Sequence, residues 1–111
     1  MIDETGENLT IGEICAGSES YIGRVVTLKG IFQGWQKIQC QFPDEAADTP
    51  LTRSDWLIRT GADCIYVTGD IPENLNPIKV ENLGILVELE AEVMLSQSKK
   101  IYLVYRKSRR V

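Results

Sequence analysis

A few cations and aromatic side chains carry the clearest chemistry in this chain of 111 residues. Tyr66 offers a ring face on which a planar group can stack, and Arg59 offers a planar cation that binds phosphate or stacks on a base. The chain has no His, and no Ser or Cys stands beside a plausible base. Paired carboxylates on a recognisable scaffold are also missing, so catalysis is not indicated and we expect a binding protein.

The cysteine pattern predicts neither a metal site nor a disulfide framework. Cys15, Cys40 and Cys64 are odd in number and form no C-x-x-C pair, so no metal or other cofactor is expected. A Cys40–Cys64 contact would form if the intervening loop folded back, but we favour buried or incidental thiols. The sequence shows no secretion signal and no apolar run of membrane-spanning length. We therefore expect a cytoplasmic protein with no membrane contact.

Tyr66 and Arg59 fall on a β-hairpin predicted over residues 54–71. Two apolar runs flank Thr60, Gly61, Ala62 and Asp63, which have the composition of a four-residue turn. The alternation of strand side chains divides the arms into two faces. The inner face is predicted to hold Trp56, Ile58, Ile65 and Val67. The outer face is predicted to hold Asp55, Leu57, Arg59, Cys64, Tyr66 and Thr68.

Two similar strands bracket the hairpin. The first runs from Arg24 to Trp35 and contains Gly30, which indicates a bend or bulge. Its apolar positions recur later in the chain with the same spacing, Val26, Leu28, Gly30 and Phe32 matching Val87, Leu89, Ala91 and Val93. A last strand over residues 100–107 has two possible registers: Ile101, Leu103 and Tyr105 face inward, or Tyr102 and Val104 do.

Shorter elements complete the prediction. Thr10 and Glu13 have the spacing of a capping box, so a helical turn is expected to plug one end of the sheet with Ile11 and Ile14. Another turn is expected over residues 18–22. A short helix is expected from Asn76 to Leu83, before Gly84. In the long loop over residues 36–53, we expect Phe42 to pack on the hairpin in preference to waiting for a ligand.

The order of these elements resembles a known family. The run Trp56-Leu57-Ile58-Arg59, Gly61 and Cys64-Ile65-Tyr66-Val67, flanked by the two similar strands, resembles OB-fold domains of the tRNA-anticodon-binding and replication-protein-A-like type. The resemblance implies an all-β, five-stranded Greek-key barrel over residues 18–107, with short N-terminal helical turns and a short helix between the third and fourth strands. Residues 1–17 would form an N-terminal segment and residues 108–111 a basic tail.

The resemblance also implies a binding surface on the second and third strands and the adjoining loops. Its ligand would be single-stranded DNA or RNA, or tRNA, bound weakly and without catalysis. The predicted contact residues are Arg53, Leu57, Arg59, Tyr66, Thr68, Arg106 and Lys107, and Lys29, Trp35 and Lys37 would extend the surface. Two structural alternatives stay open: Tyr66 pairs with Leu57 across the hairpin, and Arg59 pairs with an acid.

Charge leaves a second function open. The formal net charge of −4 provides no general attraction for a polyanion. Half of the bases lie in residues 99–111, which form either a phosphate-facing surface or a solubilising tail. Glu88, Glu90 and Glu92 exclude their own face from nucleic-acid contact. A protein-interaction OB module, acting as a homodimer or as a subunit of a larger assembly, is the alternative.

Overall fold

The structure is a computed structural model that describes residues 9–72, 75 and 82–111. Two short helices, α1 (Ile11–Ala16) and α2 (Ser18–Tyr21), come first in the described chain. The strands that follow are β1 (Val25–Gly34), β2 (Trp56–Thr60), β3 (Asp63–Thr68), β4 (Leu86–Leu95) and β5 (Ile101–Arg110). Within the described ranges the protein is therefore mostly sheet, as predicted.

The strands close into a barrel in the order β1-β2-β3-β5-β4, with β4 pairing back onto β1. Strands β3 and β5 run parallel, and the other neighbours run antiparallel. This arrangement is a closed five-stranded barrel with an OB-like fold. The predicted fold class is confirmed.

Alternating side chains of the strands fill the barrel. The inner face of the hairpin is fully buried, as predicted, and so are the inward positions of β4. On β5 the first of the two possible registers is correct, because Ile101 and Leu103 are buried and Tyr105 packs against the core. The buried core also includes Val26, Leu28, Phe32, Val87, Leu89, Ala91 and Val93.

The two similar strands are antiparallel neighbours in the barrel. Leu28 of β1 lies opposite Leu89 of β4, and Gly30 lies opposite Val87. Gly30 also crosses β2 closely, because a Cβ atom there would stand 2.6 Å from Ile58 Cγ1 and 2.9 Å from the Arg59 carbonyl oxygen. The glycine thus lets β1 curve from one partner strand to the other.

The N-terminal helical turn closes one part of the barrel. The hydroxyl of Thr10 accepts the Glu13 N–H, and the Glu13 carboxylate accepts the Thr10 N–H, so the predicted capping box is present. The Ile11 N–H donates to Thr60 Oγ1 at 2.8 Å, which joins α1 to the end of β2. Ile11 and Ile14 are fully buried in the core, as predicted.

Two predicted boundaries are wrong, and one element cannot be compared. Thr60 pairs with Asp63, so the hairpin turn has two central residues, Gly61 and Ala62, instead of four. The prediction assigned Thr60 and Asp63 to the loop because they are polar, although both residues continue the pairing of β2 with β3. Strand β5 extends to Arg110, through most of the predicted tail, because its outward cations face β4 acids. The predicted helix over residues 76–83 lies almost wholly outside the described residues.

No helix in the described part of the chain is long and apolar enough to cross a membrane.

Candidate functional site

The loop between β1 and β2, residues 35–55, lies across the outer face of the hairpin. Gln41 forms a parallel bridge with Asp63, in which the Gln41 N–H donates to the Ala62 carbonyl at 2.8 Å and the Gln41 carbonyl accepts from the Cys64 N–H at 2.9 Å. Farther along the loop, Ala46 forms a second bridge, with Ile101 at the start of β5. The loop is thus an added layer on the barrel, fixed by backbone hydrogen bonds at both places.

A disulfide joins this layer to the hairpin. Cys40 in the loop is bonded to Cys64 in β3, with their Cα atoms 5.3 Å apart. The prediction of incidental thiols at these two positions is therefore wrong, because the bridge at Gln41 carries Cys40 over Cys64. The cysteine pattern no longer supports a reducing compartment, and cytoplasmic location stays a prediction.

The layer buries the outer hairpin face. Leu57 is fully buried and Tyr66 is 4% exposed, in a small cluster with Cys64 that is separate from the barrel core. Phe42 packs on this cluster, with its ring stacked on that of Tyr66, as predicted. Leu57 and Tyr66 do point away from the barrel and pair across the hairpin, but the prediction that they present an open ligand surface is wrong. The loop supplies the covering aromatic itself.

The other predicted hairpin residues differ in their surroundings. Arg59 is half-buried, and its guanidinium donates to Gln33 Oε1 at 3.2 Å and to the Gly61 carbonyl at 2.6 Å. Two of the five guanidinium N–H donors are therefore used by neutral oxygens of the protein. Thr68 is half-buried and lies opposite Val104 where β3 meets β5.

The basic residues of β5 face the acidic ladder of β4. Arg106 contacts Glu92, and Lys107 Nζ lies 3.7 Å from Glu90 Oε1. Arg109 Nε lies 2.6 Å from Glu88 Oε1. Carboxylates adjoin each of these cations, so Arg106 and Lys107 belong to a surface that repels phosphate as much as it attracts it.

A groove opens beside the covered face. A separate groove of about 390 Å³ lies where the β4 and β5 charges meet, whereas the groove beside the covered face measures about 290 Å³. We call the latter the loop groove; its lining residues are Trp35, Lys37, Pro50, Thr52, Arg53, Asp55 and Tyr66. Trp35 is 48% exposed, and Lys37 and Arg53 are also exposed. The structure thus brings two predicted contact residues, Arg53 and Tyr66, together with Trp35 and Lys37, which were expected to extend the binding surface.

One wall of the loop groove is held by a buried carboxylate. Asp55 is 2% exposed and accepts the N–H groups of Leu51 and Thr52 at 2.6 and 3.0 Å. The Thr52 hydroxyl donates to the other carboxylate oxygen of Asp55. Asp55 therefore fixes the turn that carries Arg53, and its hydrogen-bonding capacity is used within the protein.

The hydroxyl of Tyr66 lacks a hydrogen-bond partner among the residues that the structure describes, although the side chain is almost fully buried. Buried hydroxyl groups are nearly always hydrogen-bonded, because leaving one unsatisfied costs about 1–3 kcal/mol. Tyr66 lines the loop groove. Water or a polar group of a ligand in the groove can therefore satisfy this hydroxyl.

The remaining cysteine does not line the loop groove. Cys15 on α1 is 3% exposed, and burial raises the pKa of its thiol to about 11, with smaller contributions from the Glu45 and Asp63 carboxylates. A thiol with so high a pKa is a poor nucleophile. Among the described residues, His, Cys, Asp and Glu nowhere group in a way that could hold a metal ion.

The fold resembles part of a much larger known protein. The whole chain superposes on a protein described as an aspartyl-tRNA synthetase from Leishmania major Friedlin, with a TM-score of 0.58 and 13% sequence identity. The chain spans 22% of the length of that protein. No protein-family model and no curated protein matches the sequence. At this identity the similarity shows the fold alone.

Proposed function

We propose that the protein binds single-stranded nucleic acid or the single-stranded part of a tRNA, weakly and without catalysis, at the loop groove. One observation carries this proposal: an exposed Trp35 stands with Lys37 and Arg53 around a groove that Tyr66 also lines. Stacking on an aromatic side chain combined with nearby cations is the usual means of binding single strands.

The groove supplies each part of such an interaction. Trp35 would stack on a base, a contact worth roughly 1–3 kcal/mol. Lys37 and Arg53 would contact adjacent phosphates, and the hydroxyl of Tyr66 would meet a polar group of the nucleotide. The net charge of −4 provides no general attraction for a polyanion, so affinity should be modest and fall with salt.

The fold adds support. OB-fold barrels bind oligonucleotides on the second and third strands and the adjoining loops, and the loop groove lies between the first long loop and β3. The similar protein from Leishmania major is named as an aspartyl-tRNA synthetase, and the tRNA in that name is a nucleic acid. Both observations favour nucleic acid over other ligands of the groove.

Tryptophan fluorescence provides a direct test. Trp56 is fully buried and Trp35 is half exposed, so a bound base should quench the solvent-exposed emission of Trp35. We expect a short single-stranded oligonucleotide to quench it saturably, and Trp35→Leu to remove the change. Arg53→Ala should weaken binding, whereas Arg24→Ala, an exposed arginine outside the groove lining, is the matched control. Affinity no better than millimolar at low salt would contradict the proposal.

A protein partner is the second candidate. The same loop exposes three large apolar side chains, with Trp35 at 48%, Ile38 at 68% and Leu51 at 40%. Exposed apolar side chains form interaction surfaces where they are contiguous. Light scattering would reveal a homodimer, which Ile38→Asp should dissociate without altering oligonucleotide binding. A monomer at all concentrations would contradict self-association.

A further inference from the structure

We propose that the Cys40–Cys64 disulfide is a redox clamp, whose reduction releases residues 36–42 and exposes Leu57 and Tyr66 as a further surface for bases. This inference rests on the proposed function. We call residues 36–42 the clamp segment. In the disulfide-bonded form it covers the outer hairpin face, as the buried cluster beneath Phe42 shows.

The second half of the loop is held by contacts that are independent of the disulfide. Beyond the clamp segment, the Ile101 N–H donates to the Glu45 carbonyl at 2.8 Å, and the Ala47 N–H donates back to the Ile101 carbonyl at 3.0 Å. Asp55 holds the following turn. These contacts do not involve either cysteine, so the second half of the loop would keep its place after reduction.

Within the clamp segment the disulfide is the only covalent attachment to the hairpin in the described structure. The segment's noncovalent contacts with the hairpin include the two backbone hydrogen bonds of Gln41 and the ring of Phe42 on Tyr66. Its contacts with β1 include the Gln33 side-chain amide, which donates to the Ile38 carbonyl at 3.0 Å, and the Gln36 N–H, which donates to the Gln33 carbonyl at 3.0 Å. Residues 36–39 are exposed. A segment with so few buried contacts opens readily once its covalent attachment is removed.

The burial of the two cysteines determines which sulfur atom a reductant attacks. Cys40 is half-buried and Cys64 is fully buried, so a thiolate of a small or protein dithiol would attack Cys40 Sγ. The bond between the two sulfurs breaks, and Cys64 leaves as a thiolate that takes up a proton. The second thiol of the reductant then displaces Cys40 as a thiol, so two electrons pass to the protein and the reductant becomes a disulfide.

Opening would expose a stacking surface that is already shaped for a planar ring. The ring of Phe42 lies on Tyr66 with an angle of 13° between the planes, so a base could take the place of Phe42. Leu57, directly opposite Tyr66 on β2, would border it. Reduction would thereby add a base-binding position beside the loop groove, which Tyr66 already lines.

The test compares the oxidised protein with the same protein reduced by dithiothreitol. We expect faster amide hydrogen exchange in residues 36–42 after reduction, unchanged exchange in residues 45–47, and about a tenfold gain in affinity for a single-stranded oligonucleotide, as one additional stacked base would provide. Cys40→Ala/Cys64→Ala should behave like the reduced protein with or without dithiol. Tyr66→Phe should retain the gain, and Tyr66→Leu should lose it.

Equal exchange and equal affinity in the two redox states would overturn the clamp. Faster exchange without a gain in affinity would overturn the added binding surface. In either case the proposed function survives if Arg53→Ala still weakens binding to the oxidised protein. Absence of binding in both states would overturn the proposed function as well.

Discussion

Phe42 lies nearly parallel to Tyr66, with their ring centroids 5.8 Å apart. The two residues belong to different layers, since Phe42 comes from the long loop and Tyr66 from β3. Their contact places a protein side chain where the ligand of an OB-fold barrel would stack. Tyr66 also lines the neighbouring loop groove, where Trp35 is exposed.

Reducing the disulfide should lower the free energy of unfolding by roughly 3 kcal/mol, the usual effect of opening a cross-link between residues 24 positions apart. Urea denaturation with and without dithiol measures the difference. Cys40→Ala/Cys64→Ala is the control, because dithiol should not change its midpoint. Equal midpoints for the wild-type protein in both conditions would show that the cross-link does not stabilise the fold.

Gly30→Ala should destabilise the barrel by about 1–3 kcal/mol, because the added methyl group would overlap Ile58 and the β2 backbone. Thermal or urea denaturation gives the change. Gly61→Asn is the matched control: its position has open space, and its φ of +61° is one that Asn tolerates. A Gly30→Ala protein as stable as the control would contradict the close crossing of β1 and β2.

Cys15 should resist alkylation in the folded protein. Its raised pKa of about 11 means that little thiolate forms at pH 8.5, and its sulfur is buried. Mass spectrometry should show no rapid iodoacetamide adduct on the oxidised native protein and one adduct per chain in urea. Because the unfolded thiol loses its proton at lower pH, Cys15 stabilises the fold less as the pH rises from about 9 towards 11. Rapid labelling of the native protein would contradict the burial.

Much of the barrel could be predicted because strand periodicity is local. The inward faces of β1, β4 and the hairpin follow from alternating apolar residues, and the capping box follows from Thr10 and Glu13. The register of β5 could not be chosen, because both of its faces carry apolar side chains.

The candidate site could be predicted only in part, because it depends on where a long loop lies. The sequence indicates four of its residues as candidates, namely Arg53, Tyr66, Trp35 and Lys37, but it does not show that they line one groove. Nor could it show that Cys40 reaches Cys64, since loop-to-hairpin contacts leave no periodic pattern. The sequence did contain one signal of the cover, namely an aromatic beside a proline at Phe42 and Pro43.

The most direct measurement compares two double variants that change the net charge equally, Lys37→Ala/Arg53→Ala in the loop groove and Arg106→Ala/Lys107→Ala on β5. Each is titrated with the same single-stranded oligonucleotide over a range of salt concentrations. We predict at least a tenfold loss of affinity and a shallower salt dependence for the groove variant, because it loses about two phosphate contacts. The β5 variant should stay within about twofold of the wild-type protein, because acids pair with its cations. The reverse ranking would contradict nucleic-acid binding at the loop groove.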